Sequence, residues 1–277
     1  MANRVKYRYQ SLEDYLSSMP LDTDGILDDG WGAYFPVKSR EIEAAILFAD
    51  ISSFTRRTFD MSPTETLIFV NNFFAWITAE GLRDRPGIVD KYIGDEMMVI
   101  FSRAFGSEDP FLDAARTARF MCEKDIHSFC PHIGIAAGPV AVGYVGTPLK
   151  YNCSVFGQAV SLAKRCADIK PQGEGCASVI LPSELWKGRD LQEVFPPLSV
   201  GFPDGTTQEE GVHWKALAPR AESVKNMPDI EVVELVREGR WFPSRPAEER
   251  ARRGFEALKK QGRYNPIRFE FELGKGP

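Results

Sequence analysis

Apolar positions along the chain fall into short unbroken runs and longer stretches spaced at helical intervals. Glu43 to Ser52 (EAAILFADIS) is an unbroken apolar run closed by an acid, the pattern of a strand buried on both faces. Ser62-Pro63-Thr64-Glu65 supplies an N-cap, a proline at the first helical position and a capping-box acid. Leu67, Val70, Phe73, Phe74 and Ile77 then recur at helical spacing, which predicts a helix. GIVDKYI and EMMVIF flank Gly94-Asp95 and predict a hairpin, because glycine tolerates the positive φ of a tight turn. Pro110 to about Lys124, with Phe111, Ala114, Ala118 and Met121, reads as a helix. His132 to Gly146 (HIGIAAGPVAVGYVG) shows two strand-like segments around Ala137-Gly138-Pro139, a second expected hairpin. Ala159 to Ala167 reads as a helix and CASVILP as a strand.

This order of strand, helix, hairpin, helix, hairpin, helix and strand predicts an α+β fold. Its antiparallel sheet would carry helices on one face in a ferredoxin-like arrangement. Residues 1–40, with turn clusters DTDG and DDGWG, form an expected lead-in arm with one short helix, and 41–220 the expected domain. Residues 221–277 form an extension whose charge-dense stretch PSRPAEERARRGFEALKKQGRYNP holds one amphipathic helix.

Composition narrows the classes of function. With 277 residues, 43% hydrophobic and 26% charged, the chain can build a sizeable core. A net charge of -5 gives no reason to expect nucleic acid or an anionic membrane as partner. The five cysteines (Cys122, Cys130, Cys153, Cys166, Cys176) contain no C-x-x-C pair, and only three histidines accompany them. Neither zinc nor a disulfide framework is expected, which suits a reducing cytosol. MANRVKYRYQSLEDYL lacks the apolar core of a signal peptide, and no run reaches the roughly 18 apolar residues of a membrane helix. The expectation is a soluble cytoplasmic chain without direct membrane insertion.

Asp50 closes the first strand and Asp95 sits at the tip of the first hairpin. If those strands are central neighbours, both acids lie at one sheet edge. Two carboxylates so close repel, and one takes up a proton unless a cation bridges them. Magnesium and manganese prefer such oxygen ligands and commonly arrive with phosphate. Acids at strand ends also serve as caps or turn formers, and spacing alone leaves both readings open.

Four segments decide further. ILFADISSFT, DKYIGDEMMVIF, HIGIAAGPVAVGYVG and FGQAVSLAKR occur in an order and at spacings that resemble the class III nucleotidyl cyclases, over about half the chain, Ala44 to Ile180. The resemblance implies a palm-type sheet and a head-to-tail homodimer whose active sites are shared between copies. It implies that Asp50 and Asp95 hold two divalent cations (Mn²⁺ or Mg²⁺), with the Ile51 carbonyl as a further ligand. Amides through Ser52, Ser53, Phe54 and Thr55 would cradle the triphosphate, and Arg165 would stabilise charge on the α-phosphate. Two positions depart from the family. Ser161 stands where an asparagine usually orients the ribose, and the lysine that grips the terminal phosphates has only Lys150 or Lys215 as candidates.

For the base, the resembling adenylyl-specific enzymes pair a lysine with an aspartate, and guanylyl-specific ones use glutamate with a small polar residue. Here the two positions hold Lys91 and Ser154. Lysine offers only donors, and a hydroxyl is a modest acceptor. That pair leaves purine groups unmet and suits uracil. Tyr92, Tyr151 and Phe156 either narrow the pocket or belong to the core. The pattern is similar to the stand-alone bacterial pyrimidine cyclases of Pycsar antiphage systems, which make cyclic UMP or cyclic CMP for a separate effector protein. The expected substrate is therefore a nucleoside triphosphate, UTP first. The alternatives are an adenylyl or guanylyl cyclase with an atypical pocket, or an inactive nucleotide-sensing domain.

Overall fold

The computed structural model describes residues 8–28, 30, 34–82, 85–123, 125, 127–147, 150–172, 177–201, 206–210, 214–225, 227–237 and 246–265. The chain opens with α1 (Leu12–Ser18), β1 (Thr23–Asp28) and β2 (Tyr34–Ile51). Then follow α2 (Phe54–Thr58), α3 (Pro63–Gly81), β3 (Gly87–Ile93), β4 (Glu96–Ser102) and α4 (Pro110–Glu123). β5 (Pro131–Thr147), β6 (Lys150–Phe156), α5 (Gln158–Asp168) and β7 (Ser178–Pro182) complete the central part. Two single-turn helices, α6 (Ser183–Trp186) and α7 (Leu191–Val194), lead to β8 (Leu198–Gly201) and β9 (Thr207–Glu210), which form a separate two-stranded sheet among the described residues. β10 (Trp214–Ala216), β11 (Arg220–Glu222), β12 (Ile230–Arg237) and α8 (Ala247–Lys260) end the described chain.

The main sheet runs β10-β12-β7-β5-β2-β4-β3 and is antiparallel except for the β5–β7 pair. β2 lies at its centre because its apolar run has no polar face to give to water. Ala45, Leu47, Ala49 and Ile51 face Phe69, Phe73 and Ile77 of α3 and Ala114 and Ala118 of α4. Ala44, Ile46 and Phe48 face Leu12, Tyr15 and Leu16 of α1 and Ala159, Ala163 and Ala167 of α5. Helices therefore cover both faces, where the sequence suggested one. Each fully buried large apolar side chain in these layers stabilises by about 1.5–3 kcal/mol. α3 starts where its capping box predicts: Ser62 accepts from the Glu65 N–H at 3.3 Å, and Glu65 accepts from the Ser62 N–H at 2.8 Å.

Three expectations are corrected. His132 to Gly146 is not a hairpin but one long strand, since Gly138 and Pro139 pair with Ala44 and Glu43 without a break. The continuous partner edge of β2 holds the Gly-Pro step extended, and the true hairpin joins β5 to β6. Residues 34–40 belong to β2, and β1 pairs with them, so the lead-in stretch carries sheet as well as a helix. The division at residue 220 meets no break, because β12 lies inside the sheet between β10 and β7.

Cys130 is disulfide-bonded, against the expectation from cysteine spacing, whereas Cys122, Cys153 and Cys166 are free and buried. The fifth cysteine, Cys176, lies outside the described residues. Among those residues no helix is long and apolar enough to cross a membrane.

The expected charged helix is α8. It buries Ala247, Ala251 and Phe255, and Arg57 of α2 pairs with its Glu248 at 2.5 Å. Arg57 also donates to the carbonyls of Ser128 and Phe129 at 2.8 Å, which ties α2, α8 and the approach to β5 together.

Candidate active site

Antiparallel pairing of β2 with β4 and of β4 with β3 brings the end of β2 level with the Gly94-Asp95 turn. Gly94 takes φ +63°, a conformation costly for residues with a Cβ, so the turn is tight enough to return Asp95 to this edge. There Asp95 accepts a hydrogen bond from the Ile51 N–H. Asp50 and Asp95 are thus brought together. Burial first, then the charge of Asp95, pushes the Asp50 carboxyl from its ordinary 3.8 up to about 7. Burial also raises Asp95. Asp50 Oδ1 is buried without a hydrogen-bond partner. Its neighbour His132 Nδ1 stands at 4.0 Å, beyond hydrogen-bond reach, and burial lowers the imidazole pKa, which favours its neutral form. Two acids, an orphaned buried oxygen and the adjacent Ile51 carbonyl form a donor set suited to hard divalent cations. Among the described residues no cluster of three or more His, Cys, Asp or Glu side chains adds to it.

Beyond Ile51 the chain turns through Ser52 and Ser53. Ser53 adopts a left-handed conformation (φ 54°, ψ 34°) and opens α2 without capping it through its side chain. Non-glycine residues seldom hold this conformation, and such strain gathers at functional sites. The first amides of α2, at Phe54 and Thr55, have no partners within the helix.

α5 carries Ser161 and, one turn later, Arg165. Ser161 is exposed, and Arg165 pairs with Asp168 at 3.2 Å. The α5 cation acting on Asp50 within the chain is instead Lys164, which pairs with Glu96 at 2.6 Å and with Asp168. Sequence reasoning passed over Lys164; its i,i+4 spacing to Asp168 was the available signal.

At the base position Lys91 Nζ lies 2.5 Å from Ser154 Oγ, so the two predicted residues do meet. The sequence missed their third partner. Asp90 Oδ2 accepts from Ser154 Oγ at 3.0 Å and pairs with Lys91 at 3.0 Å. Lys150 is exposed at the β6 end of the β5–β6 hairpin, opposite Thr147, away from the Pro131 end of β5 that pairs with Ile51. Lys215 is exposed on the edge strand β10, four strands from β2. Within one chain the fold places neither lysine at the sheet edge that holds Asp50 and Asp95. Tyr92, Tyr151 and Phe156 are all exposed rather than core, and Tyr92 packs on Phe74 of α3 at 4.2 Å between ring centres.

Residues 37–174 match the family model of the adenylate and guanylate cyclase catalytic domain. An adenylate cyclase of Anabaena cylindrica is 29% identical over 154 residues, covering 50% of this chain and 29% of the relative. The match thus spans less than a third of that relative's length. In fold the chain is similar to the adenylyl cyclase CyaB of P. aeruginosa, with a TM-score of 0.54 at 15% identity over 73% of this chain and 97% of that one. It is also similar to the guanylate cyclase domain of RhGC from Catenaria anguillulae, solved with GTP. There the TM-score is 0.52 at 15% identity, over 72% and 100% of the two chains.

Proposed function

Residues 37–174 belong to the adenylate and guanylate cyclase catalytic domain family, and from that premise we propose that the chain is a nucleotidyl cyclase. It converts a nucleoside triphosphate, UTP first, to the 3′,5′-cyclic monophosphate and pyrophosphate. The observation that carries the reading is the convergence of Asp50 and Asp95 around a buried Asp50 oxygen that has no hydrogen-bond partner.

The ribose 3′-hydroxyl loses its proton to solvent and its oxygen forms a bond to the α-phosphorus while the bond to the pyrophosphate oxygen breaks. Asp50, Asp95 and the Ile51 carbonyl would hold two divalent cations. Cations bound there supply a lowered pKa at the attacking hydroxyl and neutralisation of the departing charge. Amides of Ser52, Ser53, Phe54 and Thr55 hold the triphosphate. Arg165 of a second copy donates to the α-phosphate and Ser161 orients the ribose; within its own chain Arg165 pairs with Asp168 at 3.2 Å, and Lys164 is the α5 cation that acts on Asp50. Lys150 or Lys215 meets the terminal phosphates from that copy. Lys91, backed by Ser154, contacts the base. A cyclic UMP product made in the cytoplasm, where nucleoside triphosphates are held, suits an antiphage alarm read by a separate effector.

Purified protein with manganese and each of the four ribonucleoside triphosphates tests this, with the cyclic product identified by mass spectrometry. UTP is expected to give the dominant product. Dominant cyclic AMP or cyclic GMP would replace the pyrimidine reading with a purine one, and no cyclic product from any of the four would overturn the enzyme reading.

A further inference from the structure

β3 contains an irregularity that bears on which base the site takes. Val89 pairs with Val99 and Lys91 with Met98, so Asp90 is the extra residue of a bulge. In a regular strand Asp90 and Lys91 would point to opposite faces. The bulge re-aims them, and both reach Ser154. Burial divides the three: the Asp90 side chain is 1% exposed and Ser154 2%, whereas the Lys91 side chain is 39% exposed. The single hydroxyl proton of Ser154 goes to Asp90. Of the three N–H donors of Lys91, one is directed at Ser154 Oγ and one at Asp90 Oδ2, which leaves one for a ligand.

We propose that Asp90 and Ser154 lock the Lys91 ammonium so that the site reads a carbonyl oxygen on the base and rejects an amino group in its place. The inference rests on the reading of Lys91 as the base contact and goes beyond it by naming a chemical class, the oxo bases, and a positioning residue, Asp90. Uracil O4 and the O6 of a 6-oxopurine accept the remaining N–H directly. An amino group at that position sets donor against donor. A ring nitrogen such as adenine N1 accepts the same N–H, but its neighbouring amine then lies against the anchor. Ser154 and Asp90, the acceptors that hold Lys91, are buried and engaged. A hydrogen-bonding group left unmet on binding lowers selectivity for that base by about 5- to 150-fold. Asp90 is too deeply buried to take the amine itself.

Two substrate pairs test this, because each keeps the ring skeleton and exchanges an oxo group beside a ring N–H for an amino group beside a bare ring nitrogen: UTP against CTP, and ITP against ATP. The wild-type protein is expected to favour the oxo member of both pairs in kcat/KM by at least about fivefold. Asp90→Leu is expected to collapse both ratios towards one. Asp90→Asn, which keeps an acceptor beside Lys91, should retain an intermediate ratio and also serves if the leucine variant does not fold.

Thermal midpoints are measured on the same samples. A lower midpoint with both ratios intact in either variant would reduce Asp90 to a structural role and overturn the proposal. A wild-type preference for CTP over UTP, or ATP over ITP, would also overturn it while leaving the cyclase reading in place. Preference for ITP over UTP, with both oxo preferences kept, would sink only the pyrimidine assignment. Should turnover be absent, calorimetric binding of the α,β-methylene analogues of the four nucleotides gives the same ratios, and binding of none would overturn both readings.

Discussion

Replacing Asp50 by asparagine keeps the shape of the side chain and removes its titration. In the protein free of metal, the Asp50 carboxyl is raised from 3.8 to about 7, by burial first and the charge of Asp95 second. The folded state therefore keeps a proton that the unfolded chain has already released. A carboxyl raised in this way costs stability progressively as pH climbs from about 4 to about 7, and the cost is constant above that. At about 1.4 kcal/mol per tenfold, the full penalty is about 4 kcal/mol at pH 8, of which about 1.6 kcal/mol is already lost by pH 5. The wild-type protein should thus lose about 2–3 kcal/mol relative to Asp50→Asn between pH 5 and pH 8. Urea unfolding of both proteins in EDTA at four pH values measures the gap. Manganese added at pH 8 should then stabilise the wild type and leave the variant unmoved, because ions that bind only the folded state stabilise it by mass action. A gap that stays flat with pH, or equal stabilisation of both proteins by manganese, would refute the reasoning.

Three further outcomes are expected. A Cβ at Gly134 would meet Ala163 O and Ala167 N of α5, each at 2.2 Å, so Gly134→Ala should lift α5 and cost at least about 1–3 kcal/mol in urea unfolding, with activity falling alongside. Burial pushes the Glu248 carboxyl up, but Arg57 outweighs it and holds the group below its ordinary 4.5. Its contribution is therefore present above pH 4.5 and lost on acidification through the lower folded value. Glu248→Gln should cost about 1–3 kcal/mol at pH 7, with the difference from wild type narrowing in acid. Mixing two inactive variants, Asp50→Asn and Arg165→Ala, should restore about a quarter of wild-type activity, since half of randomly paired dimers are mixed and each mixed dimer has one complete site. No recovery on mixing would rule out a site shared between copies.

Much of this was legible in the sequence because local chemistry and tertiary structure agreed. The capping box at Ser62 and Glu65 forms as its spacing requires, and the apolar run ending at Asp50 is the central strand. Asp50 and Asp95 meet because glycine and strand pairing dictate it. Gly138-Pro139 misled because turn residues act locally, whereas the long edge of β2 offered an extended partner that outweighed them. β1 was hidden for a different reason. Its residues are mostly exposed, so it lacks the apolar alternation that marks a half-buried strand. The apolar residues of β12, Val232, Val233, Leu235 and Val236, gave a signal of their own in a stretch read only for its charge. Asp90 was unreadable because a strand bulge is a register event, visible only once Val99 and Met98 have their partners.

At Gly134 the sheet and α5 touch backbone to backbone, with no side chain between them to yield. A helix seated so closely has no bearing on which to pivot, so Ser161 and Arg165 travel with β5 as one rigid block. Any signal that turns such a molecule on would have to act as a change in how two whole blocks mesh, like the adjustment of gears rather than the flick of a lever.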